Sequence, residues 1–136
     1  MAVHPYLFFS GTCRQAFTRY EEIFGGKLEM MPASDAPEGQ WPGEPGDYLM
    51  HAALTFGDNV LMGSDDPTGD GGPMKGMAIS LSADDPSEAE RVFNALADGG
   101  EVTMPLAETF WSPLFGMCND RFGVPWMVDV GAPAPA

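Results

Sequence analysis

His51 stands in YLMHAALTF, residues 48–56, where Met50, Ala52, Leu54 and Phe56 take one side of an alternating pattern and His51 the other. So placed, an imidazole can serve as a general base or hydrogen-bond a ligand. The competing reading is a strand histidine satisfied by a neighbour or by water. Asn119, in LFGMCND, stands two residues along from the related position in the second half of the chain and offers a polar contact to the same ligand, or is a turn-side amide beside Asp120. Glu108, Phe110 and Trp111 share one loop, ETFWSP. An aromatic pair beside a carboxylate suits a ring-bearing or cationic ligand; the alternative is that the two rings cover a hydrophobic edge or a dimer contact. Cys13 lies near the start of a predicted helix, where a thiol pKa can be depressed, but no His or Asp is placed beside it, and an ordinary buried thiol competes. Cys118 and Trp126 read as core residues. Met30, Met31, Met62, Met74, Met117 and Met127, among ten methionines, either line an adaptable pocket or fill cores.

These residues need elements to position them, and the chain writes its elements twice. GGKLEMMP at 25–32 returns as GGEVTMP at 99–105. Before the first copy, PYLFF (5–9) reads as a strand, Ser10 to Thr12 offer capping side chains, and Ala16, Phe17, Tyr20, Ile23 and Phe24 recur on one helical face. Gly25-Gly26 ends that helix. KLEMMP, residues 48–56 and NVLMGS follow as strands, the last two joined at Gly57-Asp58. In the second copy MAISLSA (77–83) is a strand. Asp85-Pro86-Ser87-Glu88 starts a helix with a cap, a first-position proline and a capping box, and Ala89, Val92, Phe93 and Leu96 form its buried stripe. EVTMPL, LFGMCND and VPWMVDV complete the set. The expected fold is α+β: two tandem βαβββ modules, 3–64 and 77–130, with a linker at 64–76 and a frayed tail at 131–136. PASDAPEGQWPGEPGD, after the second strand, reads as an exposed loop. One helix over four strands leaves a sheet face open in each module, and two such faces brought together would enclose a ligand cleft into which His51 should look.

Composition narrows the functions. Six Lys and Arg against twenty Asp and Glu give a net charge of −14, which repels phosphate backbones and anionic lipid, so nucleic acid and membrane are not expected partners. No apolar run is long enough to span a bilayer. MAVHPYLFF has neither a basic n-region nor a small-residue cleavage site, so a cytoplasmic protein with reduced thiols is expected.

PYLFFSG at 5–11, FGG at 24–26, VLMGSDDP at 60–67, SLSADDPSEAERVFNALADGGEVTMPL at 80–106 and ETFWSPLFGMCNDRFGVPWMV at 108–128 resemble the PhnB-like branch of the vicinal oxygen chelate superfamily. The branch carries the label demethylubiquinone methyltransferase-like, and the superfamily holds glyoxalases, bleomycin-resistance proteins and dihydroxybiphenyl dioxygenases. The resemblance covers nearly the whole chain and implies the paired-module fold and a homodimer. It also implies a test: metalloenzymes of the superfamily hold a divalent ion with one side chain from the first and fourth strand of each module. Offsets of 73 and 66 residues between the copies put Pro5, Leu61, Ala78 and Met127 at those places. None is an imidazole or oxygen ligand, so no metal and no cofactor are expected. A methyltransferase would usually need a Gly-rich strand-to-helix turn, and GDGG at 69–72 lies in the linker instead. The expectation is a metal-free protein binding a small organic molecule near His51, Asn119, Glu108, Phe110, Trp111 and Met127. A glyoxalase- or dioxygenase-type metalloenzyme and a ligand-free dimeric interaction module are the alternatives.

Overall fold

The computed structural model describes residues 1–69 and 72–131, so the frayed-tail expectation, past Gly131, and two linker residues lie outside the described residues. The chain divides into two compact units, Met1–Gly72 and Pro73–Ala136. In the first, β1 (Tyr6–Phe9), α1 (Cys13–Phe24), β2 (Lys27–Pro32), a 3-10 turn (Ala33–Asp35), β3 (Leu49–Phe56) and β4 (Asn59–Asp65) follow in order. In the second, β5 (Ile79–Ala83), α2 (Pro86–Ala97), β6 (Glu101–Ala107), β7 (Phe115–Asn119) and β8 (Pro125–Val130) repeat the pattern. The sheets have strand orders β1-β4-β3-β2 and β5-β8-β7-β6, with β1–β4 and β5–β8 parallel and the other pairs antiparallel. The expected tandem βαβββ architecture is present. Its strands are shorter at the start than the residue pattern implies, because the parallel ladders begin only at Tyr6 and Ile79. β4 runs on to Asp65, so the linker begins at Asp66 and not at residue 64.

Each helix covers one face of its own sheet. α1 buries Cys13, Ala16, Phe17, Tyr20 and Ile23. Phe24, expected in that stripe, is half-buried and stacks on Phe56 of β3 at 4.8 Å. α2 buries Ala89, Val92, Phe93 and Leu96. Burying each large apolar side chain of this kind stabilises by about 1.5–3 kcal/mol. Phe17 seats on Gly63 and Phe93 on Gly116, where an added Cβ would strike the ring; Gly63 lies between Leu7 and Ala52, and Gly116 beside Val128. These contacts identify the helix-covered faces: Leu7, Ala52, Leu54 and Leu61 in one unit, Leu81, Val128, Trp126 and Cys118 in the other.

The two helices start differently. α2 begins as its sequence implies, with Pro86 in the first turn and the Asp85 carboxylate accepting from the Glu88 N–H at 2.8 Å. The Glu88 side chain does not close the box; it pairs with Arg91 at 2.6 Å. At α1 the expected local cap is absent, and Thr12 makes no side-chain capping bond. Asp65, from the far end of β4, supplies it. Its Oδ1 accepts from Gly11 N–H (2.8 Å) and Cys13 N–H (3.0 Å), and its Oδ2 accepts from Leu49 N–H (2.8 Å). One buried carboxylate thereby ties the turn before α1, the start of β3 and the end of β4. The second unit uses Asp120 the same way within the β7–β8 turn: Oδ1 accepts from Phe122 N–H and Val124 N–H, and Oδ2 from the Trp126 indole. Losing such an acceptor strands buried donors at about 1–3 kcal/mol each.

The repeat registers through its glycines. At both Gly26 and Gly100 a Cβ would collide with a strand carbonyl, of Thr55 and of Asn119 respectively, so each helix-ending glycine lets β2 or β6 close onto its neighbour. Gly26–Thr55 therefore corresponds to Gly100–Asn119. We expect Gly26→Ala and Gly100→Ala each to destabilise by roughly 2–4 kcal/mol, against about 1 kcal/mol for Gly39→Ala, where the space is open. Urea unfolding checks this, and an unchanged midpoint for Gly100→Ala would contradict the shared packing.

Both thiols are buried and free. Burial, then the Asp65 charge, push Cys13 up to about 12. Burial and Asp120 push Cys118 up to about 11. Neither is an activated nucleophile, and Cys13 gains nothing from the helix start because Asp65 already occupies it. A thiol whose folded pKa is raised favours the fold below its unfolded pKa, and that contribution is lost as pH climbs toward the folded value. We expect neither cysteine to react with a disulfide reagent at about pH 8 in the native protein and both to react in denaturant. Stability should fall from about pH 9 upward, and rapid native labelling of Cys13 would overturn the assignment.

Candidate functional site

The pleat decides which side chains remain on each uncovered face. In the first unit Leu7 and Phe9 point to the helix, so Tyr6 and Phe8 point away. The cross-strand rows on that open side are Tyr6–Met62–Ala53–Glu29 and Phe8–Ser64 with His51–Met31. Phe8 is 63% exposed and Tyr6 38%. Tyr6 packs on Phe8 at 5.2 Å and reaches over β4 to His51, its hydroxyl lying 3.1 Å from Nδ1. His51 is half-buried and on the open side, opposite Ala52 and Leu54, as its alternation implies. Its partner is Tyr6, a residue that sequence reasoning placed only in an apolar strand. The signal was available: once Leu7 and Phe9 are assigned to the helix, the parity of PYLFF leaves two aromatic rings on the other face.

In the second unit the open face carries Met104, Met117, Met127 and Ser80 in one row across all four strands. The adjoining row is Ala107, Phe115, Asp129 and Ser82, with the Ser82 hydroxyl donating to Asp129 Oδ1 at 2.7 Å. Trp111 leans over Phe115 edge-on, centroids 5.5 Å apart, and Phe110 meets Trp111 at 4.7 Å. Trp111 remains 55% exposed although it covers the edge of Phe115, and Phe110 is 96% exposed. The loop is shaped by Ser112, whose buried hydroxyl donates to the Leu114 carbonyl while its N–H bonds Thr109 Oγ1. Glu108 is exposed beside it. Trp126, read as core, is buried under the helix, its indole held by Asp120.

Structural equivalence corrects two assignments. Glycine packing and strand register pair Thr55 with Asn119, His51 with Phe115, and Met62 with Met127. Phe115 stands in the place of His51, so Asn119, related to Thr55, lies four residues along from that place and not two. The metal-position assignment of Pro5 and Leu61 is also out of step by one residue. Leu61 lies on the helix side, opposite Leu54, whereas Met127 is on the open side. The shift arises because the copies differ by single residues at the turn before the helix, at Asp98 after it and in the second hairpin. The open-side equivalents within the ladders are Met62 and Met127, and His4 and Ala78 stand two residues before Tyr6 and Ser80, ahead of the strands. Neither His4 with Met62 nor Ala78 with Met127 is a donor pair for a hard or borderline divalent ion. Among the described residues no three His, Cys, Asp or Glu side chains come together as a metal cluster.

A profile of the 3-demethylubiquinone-9 3-methyltransferase family matches residues 1–129. Protein YjdN of Escherichia coli K12 is 33% identical over 96% of this chain and 95% of its own length. The crystal structure of PA1353 from Pseudomonas aeruginosa is 50% identical, covers 96% of this chain and 97% of its own, and superposes with a TM-score of 0.88. A glyoxylase/bleomycin resistance protein/dioxygenase domain from Frankia sp. EAN1pec shares the fold at 15% identity, over 97% of this chain and 98% of its own, with a TM-score of 0.66. With the family profile matching residues 1–129 and the tandem βαβββ units in place, the chain belongs to the 3-demethylubiquinone-9 3-methyltransferase family and has the fold of the glyoxylase/bleomycin resistance protein/dioxygenase domain.

Proposed function

We propose that this protein binds a small, ring-bearing organic molecule on the uncovered sheet faces without a divalent metal. The observation that carries the reading is the row of Met104, Met117 and Met127 beside Trp111 and Phe115. Thioethers and aromatic edges are polarisable and adapt to flat ligands, and an open sheet face rich in them invites dispersion contacts that water cannot match. Asp129 and Ser82 at one side of the row supply polar contacts that orient a guest.

Methyl transfer finds less support in these residues. A nucleoside cofactor commonly docks at a strand-to-helix turn, and here both turns are filled by the protein's own carboxylates, Asp65 before α1 and Asp85 before α2. The donor set at the superfamily's metal positions likewise offers a glyoxalase- or dioxygenase-type ion little to bind. Among the described residues no helix is long and apolar enough to cross a membrane.

Calorimetry with indane and 1-indanone as neutral bicyclic probes tests the reading. We expect measurable binding, weakened roughly tenfold by Trp111→Ala through loss of one aromatic contact. The thermal midpoint should stay nearly unchanged, because Trp111 is half-exposed. No binding of either probe, or full affinity in the Trp111→Ala variant, would contradict it.

A further inference from the structure

We propose that Tyr6 and His51 form a polar anchor that selects ring-bearing ligands carrying a neutral carbonyl oxygen. The inference rests on the reading that uncovered sheet faces take such molecules, and it adds the chemical class. The Tyr6 hydroxyl lies 3.1 Å from His51 Nδ1. A phenol is a better donor than acceptor, and a neutral imidazole has one N–H and one bare nitrogen, so the hydroxyl donates and Nδ1 accepts. Tyr6 thereby holds His51 as the Nε2–H tautomer. That N–H points from the far side of the ring, away from Tyr6, and has no protein acceptor among the described residues.

Its surroundings choose the ligand. Phe8 packs on Tyr6, Met31 lies opposite His51 on β2, and Ser64 lies opposite Phe8 on β4, so no charged side chain stands in the row of His51, and Glu29 ends the row of Tyr6 three strands away. Lys27 and Glu29, further along β2 on the same face, pair with each other at 3.1 Å. An anionic ligand would meet no uncommitted cation here and would approach a chain of net charge −14. A cation would face an N–H donor. A neutral carbonyl accepts from Nε2–H while its ring lies against Phe8 and Tyr6.

The test uses the same probe pair, indane and 1-indanone, with nitrogen-15 spectra of the neutral imidazole; the chain has two histidines, so His51 is separable from His4 by substitution. In the free protein His51 should show the Nε2–H tautomer, and Tyr6→Phe should erode it. The ketone should bind roughly three- to tenfold more tightly than the hydrocarbon and move the Nε2 resonance. His51→Phe should abolish that preference while indane still binds. Equal affinity for the two probes with an unmoved Nε2 resonance would overturn the anchor and leave the broader binding reading standing. Failure of both probes to bind would overturn both. A Tyr6→Phe variant that loses stability but keeps the ketone preference would make the pair a structural staple across β4, and would also overturn the anchor.

Discussion

One helix can cover only one face of a four-stranded sheet, and the rest of this structure follows from that constraint. Twelve residues of helix make a rod about 18 Å long and about 10 Å across, which spans a sheet about 19 Å wide but reaches only one side of it. Every strand must then sort its residues by parity. Leu7, Ala52, Leu54 and Gly63 go under α1, and Leu81, Val128, Trp126 and Gly116 go under α2. Whatever alternates with them is left on an uncovered face, and there the duplicated units part company. The covered sides both stay apolar, with Leu61 in the place of Trp126 and Gly63 in the place of Val128, because both must seat a helix against close-packed backbone. The open sides diverge: Tyr6 and Phe8 correspond to Ser80 and Ser82, and His51 corresponds to Phe115. The open side carries no helix-packing duty, which leaves its residues free for ligand recognition.

The polar groups inside serve the same division. Asp65 and Asp120 sit at different places in their units, yet each gathers three N–H donors where a turn meets the sheet. Both lie near a cysteine and help to keep it protonated, so a residue type that invites a catalytic reading is made inert by architecture.

Much of the fold was legible in the sequence because its signals are local. Gly25-Gly26 and Gly99-Gly100 stop helices through their own backbone and their lack of a Cβ. Asp85-Pro86 starts one through neighbours three residues apart. The misreadings came from relations that are not local. Asp65 caps a helix that begins 52 residues earlier, whereas the local pattern offers only Ser10 through Thr12. The superfamily's metal positions were misaligned at Pro5 and Leu61 by single-residue differences between the copies, and in a strand one residue changes the face. His51 was placed on the correct side by alternation alone. Its partnership with Tyr6 crosses an intervening strand and could not be read from spacing.

We propose that these open faces recognise a neutral organic molecule by rings, thioethers and a few fixed donors, with no role for a divalent ion. Neither His4 with Met62 in the first unit nor Ala78 with Met127 in the second offers an ion enough to offset the water it would give up. Elemental analysis of untagged protein, purified without chelators, tests this most directly. Only trace zinc, nickel, iron and manganese are expected; about one equivalent per chain, lost on substituting His4 or His51, would contradict metal-free binding.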